Sequence, residues 1–501
     1  MPESTEFHVL PHFMPPTTVV IGAGPAGLTA AYHLSKLGFP VTVLESDPEY
    51  VGGISRTVHF KGFHFDIGGH RFFSKSDRIE ALWREILPHD FLERPRSSRI
   101  LYNGRFFAYP LKPMQALFDL GVFESIRCVL SYAYARLRPI RNPRSFEEWV
   151  TNEFGARLYQ IFFKTYTEKV WGMSCSDISA DWAAQRIKGV SLFSAVMSAL
   201  KPAGFGAGGT IKSLISTFRY PRLGPGMLWD ACAAAVRAQG GTLMMGRTVV
   251  DLHYREDSND WEVGHVGPDG ERETLVADHV ISSAPLREIA QSLSPAPSES
   301  LTTAAQQLGY RDFLTVALVL TDRQRFTDNW IYVHDSSVKV GRIQNFKSWS
   351  PEMVPDPTLT CYGLEYFCFE GDGLWSSTDA ELVERATTEL VQLGLADRAD
   401  VLDGCVVRQK KAYPVYDDVY AQRVQTIRDE LAERFPNLHL VGRNGMHKYN
   451  NQDHAMMTAL LTAENIVAGR ALHDPWRVNE DAEYHEESGA SGERLVPQRV
   501  R

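Results

Sequence analysis

Apolar and polar positions alternate in recognisable blocks from the first ordered stretch onward. Thr17–Ile21 is a short β-branched run, followed by glycines and then apolar residues at helical spacing as far as Leu37. Gly38 stops that helix, and a second run, Val41–Leu44, ends on Glu45. This is the pattern of a βαβ unit. Phe60–Arg71 reads as hairpin-like segments and Asp77–Ile86 as a capped helix, and helical periodicity dominates from about Leu111 to Thr217. Gly224-Pro225-Gly226 opens another helix, and Gly240-Gly241 opens strands near Thr242–Leu252 and Trp261–Val266. Val276–Ser283 resembles another buried strand, ending at Ala284-Pro285. Alternation near Leu314–Leu320 and Thr360–Glu370 predicts an antiparallel sheet, and Ala380–Leu393 a helix. Residues 1–16, with four prolines, and the polar stretch 480–501 are expected as mobile tails.

Composition narrows the class. The chain has 501 residues, enough for several joined layers, and its formal charge of −9 argues against nucleic acid or an anionic membrane as the main partner. No apolar run approaches the roughly 18 residues of a spanning helix. The six cysteines form no C-x-x-C pair, which suggests neither a disulfide framework nor a zinc site. The first sixteen residues do not read as a secretory signal, so a soluble, cytoplasmic protein is expected. The oligomeric state stays open, a homodimer among the options.

The chemistry concentrates in glycines. Gly22-x-Gly24-x-x-Gly27 sits between a strand and a helix, where the first glycine allows the turn, the second lets a pyrophosphate approach and the third permits close packing. Glu45 closes the second strand, placed to accept from an adenosine ribose hydroxyl. Gly52 and Gly53 again free backbone amides for a phosphate or ribityl chain, with Arg56 able to add charge-assisted hydrogen bonds. Near the end, Val441-Gly442-Arg443 leads by a polar loop to the apolar helix Ala455–Ile466. Asn450–His454 carries a carboxylate and a histidine without further ligand spacing, so it reads as loop and cap chemistry, and no metal site is expected.

The run Gly52-Gly53-Ile54-Ser55-Arg56-Thr57 resembles the second glycine signature of the amine oxidase, phytoene desaturase and protoporphyrinogen oxidase flavoproteins. More specifically, five blocks resemble UDP-galactopyranose mutases: Gly69–Phe73, Tyr166–Gly172, Arg342-Ile343 with Lys347, Tyr413–Val415 and Gly442–Tyr449. The resemblance implies an α/β fold, with a Rossmann-type FAD-binding domain, an inserted helical region and an antiparallel-sheet substrate domain. It implies FAD, held by Gly22, Gly24, Ala26, Gly27, Glu45, Gly52, Gly53, Arg56, Gly69, His70, Val249, Gly442, Arg443, Asp453 and Met456. It also implies that FAD works reduced, through a covalent adduct, to interconvert pyranose and furanose forms of a nucleotide- or diphosphate-linked sugar, with NAD(P)H an option as external reductant. Tyr413 and Tyr449 would bind the diphosphate, Arg342 would neutralise it, and His70 would lie against the flavin to tune it or relay a proton. Tyr166 and Trp171 would line the sugar pocket, and Arg186 would serve the same site.

Val190 departs from the pattern, standing where a second phosphate-binding arginine is expected, with Lys188 as a candidate substitute. The segments Phe218–Gly226 and Ser282–Pro285 look closer to the desaturase and protoporphyrinogen oxidase branch. The alternative function is therefore an amine oxidase or desaturase-type oxidoreductase abstracting hydride, which would need an apolar tunnel instead of cations and hydroxyls. A flavin-binding scaffold without catalysis gives no reason for a polar site. The expected organisation is a tail (1–16), FAD-binding segments (17–110, 218–290 and 416–479), a mainly helical insertion (111–217), a substrate sheet (291–415) and a second tail (480–501).

Overall fold

The computed structural model describes residues 15–111, 113–180, 216–417 and 419–479. Arg186, Lys188 and Val190, and all but a few residues of the two expected tails, lie outside the described residues.

The strand Thr18–Ile21 (β1) alternates its side chains between two cores. Val20 enters one cluster and Val19 and Ile21 the other, so the sheet is covered on both faces. Helix Pro25–Lys36 (α1) follows, then strand Val41–Glu45 (β2) parallel to β1, with Thr18 beside Val41 and Ile21 beside Leu44. The other strands of this five-stranded parallel sheet come from far along the chain. His279–Ser282 lies on the free side of β1, Leu438–Leu440 beyond it, and Thr242–Met245 beside β2. Helices α1, Gly226–Ala238 and Gln452–Ala468 cover one face with small and aliphatic side chains. Across the other face lie a four-stranded sheet built on Thr248–Arg255 and Asp260–Val266 and the helices Glu299–Gln306 and Tyr420–Arg434.

The second sheet has seven strands in the order 401–414, 310–321, 359–368, 342–345, 330–333, 98–102 and 105–108. It is antiparallel except where Trp330–Val333 runs parallel to Ser98–Tyr102. Residues 98–108, grouped in the sequence with the segment 17–110, thus complete this seven-stranded sheet. Their pairing with each other is local, but their partner at 330–333 is not. Tyr310–Thr321 is buried on both faces as far as Leu320, with helix Asp379–Gln392 on one side and the aromatic cluster of Phe65, Tyr220 and Trp349 on the other. Cys361 and Cys368 share strand Leu359–Cys368 but enter these opposite clusters, and both are free thiols.

A helical cluster packs beside the sheet. Its segment Phe146–Trp171 contains a π-helical turn, Gln160–Lys164, immediately before the helix Thr165–Trp171. Such turns re-aim the side chains that follow them. Tyr166 is the second residue after this turn. Arg311 holds this helix to the sheet by donating to the carbonyls of Val170 (3.2 Å), Lys169 (3.3 Å) and Phe367 (2.9 Å). Lys169 caps neighbouring backbone by donating to Val333, Asp335 and Val340, and burial holds its ammonium down at about 8.

Candidate functional site

A cavity of about 310 Å³ opens where the two sheets meet. Its floor is backbone. Gly22 has φ of +93°, and a Cβ on it would meet Ser283 Oγ at 2.4 Å, so the turn after β1 requires glycine. A Cβ on Gly27 would lie 1.8 Å from the Gly22 carbonyl oxygen, which fixes the third glycine as a packing position of the turn. The N-termini of two helices, at Gly24–Ala26 and at Asn451–Gln452, line the cavity together and give it two positive dipole ends. Asn451 and His454 cap the second helix reciprocally. Among the described residues no group of three metal-ligating side chains occurs.

Of the residues assigned to the cofactor, Gly22, Gly24, Ala26, Glu45, Gly53, His70, Val249, Gly442 and Arg443 line the cavity. Glu45 accepts from the Ala23 amide (2.6 Å) and the Asp47 amide (2.9 Å), which fixes its carboxylate at the rim. Gly52 and Arg56 support from behind: Gly52 donates to the Ala23 carbonyl at 2.8 Å, and Arg56 bonds the Gly53 carbonyl and Gln409. Gly69 packs against Gln344 and Trp349. Met456 and Asp453 are placed elsewhere. The Met456 sulfur accepts from the Trp83 indole at 3.1 Å inside the core, and Asp453 is buried against Ser74 (3.1 Å). Both follow the cap by two or more residues, where the helix has turned these side chains away from the cavity. Arg247, Thr248, Gln409 and Lys411 also line it, and nothing local in the sequence marks these positions as a cavity wall.

Side chains build the other half of the site. Arg342 opens strand Arg342–Asn345, and its Nε donates to Glu365 Oε2 at 2.5 Å. Glu365, fully buried, also accepts from Gln344 at 2.8 Å, and Gln344 in turn accepts from the Trp349 indole at 3.0 Å. This chain of bonds sets the plane of the Arg342 guanidinium. Burial pushes the Glu365 carboxyl up, while Arg342 and Gln344 pull it back.

Tyr413 reaches the site because strand Val401–Pro414 is irregular. The register shifts opposite Arg311 and Phe313, Lys411 takes a φ of +52°, and Asp312 accepts from the Lys411 amide at 2.7 Å. The Tyr413 ring stacks with Tyr449 (5.8 Å between centroids), and the Arg443 guanidinium lies 5.2 and 5.1 Å from these two rings. Arg443 is itself held by the carbonyls of Asn450 (2.9 Å) and Ala412 (3.1 Å). Burial, with Tyr449 beside it, raises the Tyr413 phenol to about 12, and burial raises Tyr166 well above the ordinary range. Both are hydrogen-bond donors at neutral pH.

His70 feels the charges of Arg443 and Arg342. Burial and then these two guanidiniums push its imidazole down to about 3, and its buried Nδ1 has no hydrogen-bond partner among the described residues. It is a neutral imidazole, so charging it is closed as a route for proton transfer near pH 7. Tyr166 stacks on His334 (5.0 Å) and meets Tyr332 edge-on (5.4 Å). Tyr332 and its neighbour Tyr109 (4.6 Å) were not foreseen, because a tyrosine in an aromatic-rich chain carries no signal of its own. The structure thus brings His70, Arg342, Tyr413, Tyr449 and Tyr166 to one region. Trp171 is buried in the helical cluster and stacks 6.5 Å from Tyr416, whose hydroxyl accepts from the Tyr449 amide, so it stands one ring behind the site. Lys347 is removed from it, pairing with Asp322 at 2.6 Å and with nearby carbonyls.

A family model described as flavin containing amine oxidoreductase matches residues 25–467. Among curated proteins, a probable UDP-galactopyranose mutase of Klebsiella pneumoniae is 26% identical over 171 residues, covering 32% of this chain and 42% of that protein. A putative flavin-containing monoamine oxidase of Mycobacterium tuberculosis is 30% identical over 189 residues, covering 35% and 41%. The chain thus matches less than half the length of these relatives. Among solved structures, reduced UDP-galactopyranose mutase superposes with a TM-score of 0.78 at 22% identity, covering 93% of this chain and 97% of that one. A putative protoporphyrinogen oxidase from Exiguobacterium sp. 255-15 follows with a TM-score of 0.68 at 18% identity, covering 91% and 99%. These likenesses establish the fold, a mixed α/β flavoprotein fold with one parallel and one large antiparallel sheet.

Proposed function

The chain belongs to the flavin-containing amine oxidoreductase family, and from that premise we propose that it is an FAD-dependent mutase acting on a sugar linked to a nucleotide or another diphosphate carrier. The family is flavin-containing, and the residues present fit FAD: a turn in which Gly22 and Gly27 admit no Cβ, two helix N-termini for the pyrophosphate and the Glu45 carboxylate beside them. When bound in its reduced form, FAD supplies the nucleophile for opening and reclosing the sugar ring.

The observation that carries the reading is the cluster of Arg342, Arg443, Tyr413 and Tyr449 around neutral His70. Two fixed cations and two phenols suit a departing diphosphate, whose charge develops as the sugar leaves it. Arg342, aligned by Glu365, offers its free guanidinium edge to that charge, and the Tyr413 hydroxyl donates a hydrogen bond to it. Neutral His70 contributes a dipole and leaves the positive charge to Arg342 and Arg443. Hydride abstraction from an amine or polyene gains little from such a cluster.

The test is a screen of dithionite-reduced protein against a panel of nucleotide sugars, with product ring size read by chromatography. The expected result is ring interconversion by the reduced form and none by the oxidised form. Stoichiometric oxygen consumption with an amine, and no interconversion of any sugar, overturns the mutase reading and leaves the family assignment standing.

A further inference from the structure

Helix Val122–Leu137 is apolar on two sides. Its inward side is accounted for: Cys128 is buried in the helical cluster with Tyr132 packed against it, and Ala135 is buried as well. Its outward side is equally apolar, and Phe118 of the preceding helix, Pro113–Leu120, adds another exposed ring. Phe118, Val122, Phe123, Leu130 and Leu137 are 87, 74, 88, 65 and 82% exposed. A helix apolar all round is ordinarily enclosed, and large side chains exposed in one continuous stripe mark a docking surface. The stripe runs about 24 Å along the helix, and no helix among the described residues is long and apolar enough to cross a membrane.

Charge identifies the occupant. Residues 115–144 carry five arginines (127, 136, 138, 141 and 144) and two acids, Asp119 and Glu124, on a chain whose total is −9. Glu124 is already held by Arg157 and Arg127. Arg136, Arg138, Arg141 and Arg144 are exposed at the C-terminal end of the stripe and form no ion pair among the described residues. Arg138 lies 5.8 Å from the Tyr134 ring, a cation laid along an apolar surface. A second copy meeting this face about a two-fold axis would set ten arginines against four acids in one seam.

We propose that this face docks on the surface of an anionic phospholipid bilayer, with the aromatic and aliphatic stripe in the interfacial region and the arginines on the headgroups. The average charge of the chain, which pointed away from anionic membranes, conceals a local patch of opposite sign. The site is separate from the flavin cavity, so the inference stands whichever reaction the cavity performs.

The test is sedimentation of the full chain with phosphatidylcholine vesicles, with and without about one third phosphatidylglycerol. Binding is expected to the anionic vesicles alone and to be released at about 1 M salt, where screening is nearly complete. Phe123→Ser with Leu130→Ser should weaken it at least tenfold. Arg136→Gln, Arg138→Gln and Arg141→Gln should each weaken it by roughly fivefold, the worth of one cation at an anionic surface. The arginine variants change exposed side chains only, so they fold even if the apolar pair does not. Wild-type protein that stays in the supernatant with both vesicle types overturns the proposal. So does a dimer in light scattering that Phe123→Ser dissociates while vesicle binding is unchanged.

Discussion

At Gly22 and Gly27 the chain omits side chains so that backbone can close around a ligand. At Arg342, Tyr413 and Tyr166 it projects long ones into the same space. The first half of the site rests on a parallel sheet covered on both faces, and its shape is set by φ angles and helix ends. The second half is assembled from a strand end, a bulged strand and the helix after a π turn, and its shape is set by hydrogen bonds among side chains. Backbone-built sites tolerate almost no added atom but impose little on the chemistry. Side-chain-built sites fold with many substitutions and lose their chemistry with one.

The largest effect therefore belongs to the glycine turn. Gly27→Val sets methyl groups into the Gly22 carbonyl, which a Cβ alone already approaches to 1.8 Å. The expected cost exceeds about 3 kcal/mol in denaturant unfolding, with loss of bound flavin from the visible spectrum. A Gly27→Val protein that stays folded and yellow would remove the distinction drawn between the two halves.

Arg342→Ala addresses the second half. It should leave flavin content unchanged and lower kcat/KM by about 10²–10³-fold, the usual effect of deleting one preorganised charge partner. Glu365 would then be a buried carboxylate without its guanidinium, and some stability should be lost with it. Equal loss of flavin and activity would place Arg342 in the cofactor half instead.

Asp66 connects the halves, since its strand runs directly into Gly68-Gly69-His70. Its carboxyl is fully buried, accepts from Tyr220 and Thr57, and is raised by burial to about 8 against an ordinary value of 3.8. The folded state therefore binds a proton that the unfolded state has released between these two values. Asp66 then contributes most stability below pH of about 4 and loses it as pH rises through about 8, with a slope of at most about 1.4 kcal/mol per unit. Asp66→Asn should flatten that part of the stability profile. An unchanged slope would mean that the buried carboxyl ionises without cost.

The difference between the halves also explains what the sequence discloses. A strand, three glycines at fixed spacing, a helix and Glu45 lie within 29 consecutive residues, 17–45, so the cradle is written locally. Arg342, Tyr413 and Tyr449 were reached only through resemblance, because their proximity depends on a bulge at Lys411 and on pairings between strands up to about a hundred residues apart. Resemblance also carried Met456 and Asp453 toward the cofactor, although helix geometry turns them into the core. Periodicity located the helices of the insertion, but it could not say that one apolar face of Val122–Leu137 would remain outside.

His70 should give the smallest effect, and it separates two ways in which a side chain can serve the second half. A histidine that cycles a proton imposes a step on the pH–rate profile near its own pKa. Burial and two adjacent guanidiniums hold His70 at about 3, so no such step should appear in kcat/KM between about pH 5 and 8. His70→Gln keeps a neutral hydrogen-bonding group in place and should cost roughly fivefold, the worth of about 1 kcal/mol for one neutral hydrogen bond. A wild-type inflection near pH 6 that His70→Gln abolishes would mean that bound substrate or flavin restores the charge, making His70 an acid–base group and not a fixed dipole.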